Sequence, residues 1–454
     1  MQRIFVANRG EIALRVNRAA HALGLETVQA VSAADEHSMA AEVADHTVVI
    51  GPAPSKQSYL DPKLIVHAAK STGCDGLHPG YGFLSERAEL ARLCDENNII
   101  FVGPTDAAIH ALGDKLQARK IAAEAGVPLV PGTDKIADSD SAKRAAEELG
   151  FPIVMKASAG GGGRGMFVAR SVNDISDSFD KASAEALEAF GDGTLYIERY
   201  VENARHVEVQ VMGDGNGKVV HFGERDCSVQ RRYQKVFEES PCVAMPDATR
   251  IALHDAAVKL VATMNYRNAG TVEFIYDVER DEFYFIEVNA RIQVEHPVTE
   301  QVTGFDLVQW QLRIANGEPL NLSQENISVS RHAIECRINA EDPSNNFLPS
   351  PGRLTTWEAP AGAGVRIDSH CRAGYLIPPY YDSMIGKLIV TAENRPAAVK
   401  RLIETLDEFH IDGIKTNLPM LKFIAGSEAY QSNQIDTRWL ERECLPEFEQ
   451  HNAQ

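Results

Sequence analysis

The spacing of apolar positions changes repeatedly over the first hundred residues. Residues 3–7, RIFVA, are a short apolar run of strand type, and residues 10–23 space apolar side chains at helical intervals until Gly24 can cap them. Further strands are predicted at 26–31, 47–50, 76–78 and 99–102, with helices at 63–71 and 86–96. Strands that alternate with helices imply a parallel sheet, so this region reads as an open α/β domain. Two loops, NRGE at 8–11 and HPGYG at 78–82, fall at the C-terminal ends of strands, where such sheets hold ligands. Tight turns that need glycine explain them equally well, and both readings stay open.

A helix is predicted over 106–125. Beyond the Val127-Pro128 turn, FPIVMKAS (151–158) and MFVAR (166–170) read as strands on either side of the glycine loop 160–165. The loop fits GxGxxG, but a dinucleotide fingerprint needs a helix after the glycines and here a strand follows. The pattern describes a hairpin flap whose unobstructed backbone N–H groups can close over phosphates. Four consecutive glycines cost conformational entropy on ordering, which favours that reading over a mobile surface hairpin. Lys156, at the end of the entering strand, and Lys115, at the start of the preceding helix, are candidate phosphate ligands; no GxxxxGK[ST] motif occurs.

After a predicted helix at 172–190, strands follow at 194–201, 207–214 and 217–226, the last two joined by the Asp214-Gly215-Asn216 turn. Strict alternation puts His206, Glu208 and Gln210 on one face, either solvated or functional. Residues 225–235, RDCSVQRRYQK, are dense in donors without a clear period and read as an ordered loop carrying anion ligands. GTVEFIYD (270–277) and DEFYFIEVN (281–289) form a predicted hairpin around the acidic turn 278–281. It brings Glu273 opposite Glu287 and Asn289, hard oxygen ligands suited to Mg²⁺, inside strands too apolar to leave charges unpaired. Arg291 and Glu295 follow as a cation and a potential base. From about Ser330 a third, α+β region begins with HAIECRIN, where Arg337 lies on the polar face, and ends with a helix at 395–406.

Hydrophobic content of 44% in 454 residues allows two or three domains, and a net charge of -19 spread along the chain speaks against nucleic-acid binding through a basic surface. Seven cysteines without CxxC spacing argue against a disulfide framework or zinc knuckle. The N-terminus starts directly as strand and helix, with no apolar core before a cleavage site and no run of membrane-spanning length, so the expected location is the cytoplasm.

In order along the chain, ANRGEIA, HPGYGFLSE, GPT...GDK, MKASAGGGGRGM, HVEVQV, ERDCSVQRR, GTVEFIYD, FIEVNARIQVEHPVTE, ECRINAED and PPYYDSMIGK resemble the biotin carboxylase family within the ATP-grasp enzymes, from Arg3 to about Leu440. The resemblance implies an N-terminal open parallel α/β domain (1–112), an ATP-grasp domain (113–329) with a glycine-rich lid at about 129–200, and a C-terminal α+β domain (330–446). It implies carboxylation of biotin on a carrier protein with MgATP, Mn²⁺ being able to replace Mg²⁺, and bicarbonate by way of carboxyphosphate. Lys115, Lys156 and His206 would contact phosphates beneath the flap of Gly161, Gly162 and Gly163, and Glu198, Tyr200 and Val201 would hold adenine, with Gln230 and Tyr233 also facing the nucleotide. Glu273, Glu287 and Asn289 would bind Mg²⁺. Lys235, Arg291, Gln293 and the Val294 amide would bind bicarbonate, Glu295 would deprotonate it, and Arg337 would stabilise the enolate-like biotin oxygen.

Arg231-Arg232-Tyr233-Gln234-Lys235 departs from the family's usual Arg-Arg-His-Gln-Lys, keeping a hydroxyl donor and losing an imidazole. No biotin-accepting Met-Lys-Met occurs, so a biotin carboxyl carrier protein and a carboxyltransferase are expected in trans, as in acetyl-CoA carboxylase of fatty acid biosynthesis. The family's usual homodimer is expected too, with Arg15 and Phe83 as interface candidates. The alternatives are a catalytically altered regulatory ATP-grasp subunit and an ATP-grasp ligase with a different acceptor.

Overall fold

The computed structural model describes residues 1–136, 138–157 and 166–452. The first region is a parallel sheet of five strands in the order His46–Val49, Glu26–Val31, Arg3–Val6, Gly76–His78, Ile100–Phe101. The helix Gly10–Ala22 buries Ile12, Leu14, Val16 and Ala20 against it, as the helical spacing requires. The chain reverses direction across the sheet between Arg3–Val6 and Gly76–His78, and the two glycine loops leave the sheet there. Asn8 Nδ2 donates to the carbonyls of Pro79 (2.7 Å) and Tyr81 (2.8 Å), tying one loop to the other. Gly80 has φ +64, and a Cβ there would meet Asn8 Nδ2 at 2.8 Å, so the turn requirement alone accounts for this glycine. Arg15 pairs within the chain with Glu300 (2.8 Å) and Asp306 (2.7 Å), and Phe83 stacks on Tyr59 with centroids 5.1 Å apart.

Three antiparallel strands, Met166–Ala169, Ile153–Ala157 and Leu195–Arg199, carry the helices Ser139–Leu149 and Val172–Phe190 around a small core of their own. The second helix starts where Ser171 and Asp174 form a capping box and ends at Gly191 in the left-handed conformation, matching the predicted span. The first was not predicted, because its buried positions are the alanines Ala142 and Ala146, which give little apolar signal.

The largest layer is an eight-stranded antiparallel sheet in the order Glu282–Asn289, Arg267–Asp277, Ala204–Asp214, Val219–Arg231, Gln234–Ser240, His332–Asn339, Met384–Ala392, Val365–Ser369. Its backbone ladder runs across residue 330, pairing Phe237 with Cys336 and Glu238 with Glu335. Two predicted elements differ. Residues 225–235 are not a loop but the end of one strand, a two-residue turn and the start of the next, with Arg232 (φ 47) and Tyr233 (φ 65) as the two left-handed turn residues. Register shifts at Val229 break the period of two, which is why the run looked aperiodic. The helix expected at 106–125 is two helices, Asp106–Gly113 and Lys115–Glu124, split at Asp114, which takes an extended conformation and accepts from the Gln117 N–H at 2.9 Å.

Candidate active site

The site lies where the Glu282–Asn289 edge of the large sheet meets the turn into the helix His296–Thr303. Glu273 stands directly opposite Glu287 across the ladder, and Thr271 opposite Asn289, as the hairpin pattern predicts. Asn289 Nδ2 (3.0 Å) and Gln293 Nε2 (3.2 Å) both donate to Glu273 Oε1, and His206 Nε2 lies 3.1 Å from Glu273 Oε2. Lys115 is near Glu287 at 3.8 Å, placed there by the break at Asp114. Burial raises the Glu287 pKa and the nearby Glu273 charge raises it further, while Lys115 offsets only part. Glu273 is balanced by Lys235 and His206, whereas the facing Glu287 is short of positive charge; two carboxylates beside an amide fit a divalent cation that prefers oxygen ligands. Potential ligand atoms of His206, Glu208 and Glu273, and of Glu208, Cys227 and Glu295, also cluster within 4.8 Å. Those clusters already hold a cation, since the Lys235 ammonium sits among them.

Lys235 donates to Glu208 Oε2 (2.6 Å), Glu273 Oε1 (3.1 Å) and Glu295 Oε1 (2.7 Å). Burial works against its charge, but the surrounding anionic groups prevail and hold its pKa well above the ordinary value. Glu295 is fully buried, and its Oε2 accepts from Arg337 at 3.0 Å. Burial pushes its pKa up; Lys235, Arg337 and Arg225 outweigh this and hold it well below the usual carboxylate range, so it is ionised at neutral pH. Arg337 also donates to Glu238 Oε1 at 2.6 Å. Arg291 donates to Glu86 (2.9 Å), Gln293 Oε1 (2.7 Å) and Asn289 Oδ1 (2.9 Å). The Ala88–Glu96 helix starts two residues later than predicted, which leaves Glu86 outside it for this bond.

The remaining candidates form other groups. Lys156 donates to Glu198 Oε2 at 2.6 Å, and Arg119 binds the other oxygen of that carboxylate. Tyr200 and Val201 lie between the strands Leu195–Arg199 and Ala204–Asp214, where the small three-stranded sheet joins the large one. Gln230 is the cross-strand partner of Lys235, and Tyr233 projects from the hairpin tip, 60% exposed. Gly161, Gly162 and Gly163 lie outside the described residues.

Sequence reasoning missed the support beneath these groups. The polar face of His206, Glu208 and Gln210 is not solvated: Glu208, Gln210 and Arg225 are all fully buried. Arg225 faces Glu208 across the ladder, bonds it, and donates also to Gln210 (2.9 Å), Thr299 (3.0 Å) and Thr271 (3.2 Å). Strict alternation in HVEVQV opposite an arginine was the available signal. Lys387, fully buried, donates to the Val294 carbonyl at 2.8 Å and lies 3.1 Å from Glu11.

Residues 1–109 match the family model described as biotin carboxylase, N-terminal domain, and residues 335–442 the biotin carboxylase C-terminal domain. Residues 114–323 match the ATP binding domain of the carbamoyl-phosphate synthase L chain. Biotin carboxylase 1 of Bacillus subtilis is 48% identical over 442 residues, 97% of this chain and 98% of that one. The biotin carboxylase of Haemophilus influenzae is 49% identical over 444 residues, again 97% and 98%. Among solved structures, the biotin carboxylase domain dimer of Hydrogenobacter thermophilus 2-oxoglutarate carboxylase, in complex with MgADP, ADP and bicarbonate, superposes with a TM-score of 0.90 at 45% identity over 98% of each chain. The Campylobacter jejuni biotin carboxylase in complex with β-γ-ATP gives 0.91 at 45% identity, over 97% of this chain and 99% of that one. Near-half identity along almost the whole length, carried on a shared fold, makes this chain a member of the biotin carboxylase family of ATP-dependent ligases.

Proposed function

We propose that this chain carboxylates biotin on a carrier protein, using ATP, Mg²⁺ and bicarbonate by way of carboxyphosphate, as the biotin carboxylase component of an acyl-CoA carboxylase or related enzyme. The observation that carries this reading is the buried, ionised Glu295 held between Lys235 and Arg337, with Lys235 bonded also to Glu273, which faces Glu287 across the ladder. Glu273, Glu287 and Asn289 would hold Mg²⁺, which when bound neutralises charge on the phosphoryl oxygens. Lys115 and Lys156, with His206, take the phosphates, and Glu198, Tyr200 and Val201 take adenine, with Gln230 and Tyr233 on the nucleotide side.

Lys235, Arg291, Gln293 and the Val294 N–H hold bicarbonate beside Glu295. Glu295 removes its proton, and the carbonate oxygen attacks the γ-phosphorus of ATP to give carboxyphosphate and ADP. Release of CO₂ leaves phosphate, which takes the ureido proton of biotin while Arg337 stabilises the enolate-like oxygen; the biotin nitrogen then bonds to CO₂. Fixed cations at each developing charge are the main source of acceleration.

Three domains, at 1–112, 113–329 and 330–446, divide this work. A biotinyl carrier and a carboxyltransferase complete the reaction, with fatty acid biosynthesis as the setting; the Hydrogenobacter domain dimer supports a homodimer. Cytoplasmic residence fits the seven buried cysteines, none of them in a disulfide; among the described residues no helix is long and apolar enough to cross a membrane. The test is ATP hydrolysis by the purified chain with Mg²⁺ and bicarbonate, with and without free biotin. Stimulation by biotin that requires bicarbonate is expected. Tight ATP binding with no such stimulation would overturn the reading in favour of an altered regulatory subunit.

A further inference from the structure

The bicarbonate donor on the main chain, the Val294 N–H, is only as well aimed as the peptide that carries it. That peptide joins Gln293 to Val294, and its carbonyl is held from one side. His296 Nδ1 lies 2.7 Å from the Gln293 oxygen, and the His296 backbone N–H donates to the same oxygen at 3.3 Å. A carbonyl oxygen can only accept, so Nδ1 carries the imidazole proton. His296 Nε2 is buried with no hydrogen-bond partner, and the side chain is fully inaccessible. In a trans peptide the N–H points opposite to the C=O, so holding the Gln293 carbonyl toward His296 directs the Val294 N–H away from it. The next carbonyl, that of Val294, is fixed by the buried Lys387 at 2.8 Å. Both peptide planes flanking Val294 are therefore pinned by side chains from two different elements, the His296–Thr303 helix and the Met384–Ala392 strand.

We propose that His296 is a positioning residue that, as a fixed neutral Nδ1–H imidazole, orients the Val294 N–H as an anion donor for bicarbonate. The inference rests on the bicarbonate reading of the site given above. Burial and the neighbouring Lys387, Arg15 and Arg366 charges hold the His296 pKa well below its ordinary value, in keeping with a ring that stays neutral. Without this hold the Gln293 oxygen keeps only the longer 3.3 Å bond from the His296 backbone N–H, and the Val294 N–H is less tightly aimed before any contact with Glu295 changes.

The test has two arms on the full chain. First, ¹⁵N NMR of histidine-labelled protein should show His296 with a protonated Nδ1 and a bare Nε2, unchanged from pH 5.5 to 8.5. A protonated Nε2, or a ring that titrates in this range, overturns the proposal whether or not the protein is active. Second, bicarbonate-dependent ATP hydrolysis with free biotin compares two amide variants. In His296→Asn the amide nitrogen can occupy the Nδ1 place, whereas in His296→Gln it is displaced toward the Nε2 place. His296→Asn should keep the bicarbonate KM within about twofold of wild type, and His296→Gln should raise it about 10- to 100-fold, the effect of losing one charge-assisted hydrogen bond. The ATP KM and thermal midpoint should be alike in both variants. Equal bicarbonate KM values in the two overturn the proposal. A wild type with the expected tautomer but no bicarbonate-dependent turnover refutes the bicarbonate reading, and with it the donor role of Val294, while leaving the imidazole geometry in place.

Discussion

Replacing Glu295 with glutamine separates the chemical role of this carboxylate from its structural one. Glu295 accepts from Lys235 at 2.7 Å and from Arg337 at 3.0 Å and is fully buried. The amide has nearly the same shape but cannot accept a proton from bicarbonate, and its NH₂ end must face one of the two cations. Neither cation is stranded by the change: Lys235 keeps Glu208 and Glu273, and Arg337 keeps Glu238. The loss of a charge-assisted hydrogen bond therefore amounts to about 1.5–3 kcal/mol of stability and leaves a folded protein. Loss of a positioned general base costs about 10²- to 10⁴-fold in rate, or roughly 3–5 kcal/mol of barrier. Lys115 and Lys156 touch neither end of Glu295, so nucleotide affinity should stay within about threefold. Steady-state hydrolysis with bicarbonate and biotin, beside calorimetric titration with MgADP, reads both quantities. Turnover within about threefold of wild type would refute the assignment of Glu295 as base. Equal losses of turnover and MgADP affinity would refute the argument that the substitution acts locally.

Three further outcomes are expected. Glu287→Gln should raise the Mg²⁺ concentration needed for half-maximal turnover at least about tenfold, since it removes an anionic ligand from a hard cation; an unchanged midpoint removes Glu287 from the metal site. Arg225→Met should destabilise the chain by about 3–5 kcal/mol by leaving Glu208 with Lys235 alone, and adding Glu208→Gln should restore much of it; urea unfolding in which the double variant is no better than the single refutes this pairing. Burial raises the Glu238 pKa from 4.5 to about 7, with Arg337 offsetting part, so the native state keeps a proton that the unfolded chain loses. The stability linked to that proton is full below about pH 4.5 and lost as pH rises through about 7, a span worth about 3 kcal/mol. Unfolding measured from pH 5 to 8 should therefore show Glu238→Gln gaining on wild type as pH rises, and parallel profiles would refute the shift.

What could be read from the sequence was whatever a single strand or helix encodes on its own. The Glu273, Glu287 and Asn289 constellation was legible because alternation and one acidic turn fix the register of a hairpin, and register decides which side chains meet. Val172–Phe190 was legible because its ends carry their own caps. The Val219–Arg231 and Gln234–Ser240 hairpin was not, because bulges at Val229 destroy the period and its buried faces offer no polar alternation to follow. Nor was the continuity of the large sheet past residue 330, which depends on pairing between segments about a hundred residues apart.

The same division separates the proposed catalytic groups from those that hold them. Lys235 was read in a donor-rich loop, Glu295 just beyond a hairpin and Arg337 on the polar face of a strand, but their states depend on Arg225, Glu208 and Glu238, which strand pairing brings beside them. An ionised Glu295 in a dry interior is possible because three cations converge on it from separate elements, Lys235, Arg337 and Arg225. Each of those cations has a second acidic partner, Glu208 for Lys235 and Arg225 and Glu238 for Arg337. Removal of any one partner should thus alter the protonation of its neighbours as well as the stability of the fold. For that reason, substitutions at Glu208, Arg225 or Glu238 should change the pH dependence of turnover as readily as substitutions at Glu295, Lys235 or Arg337.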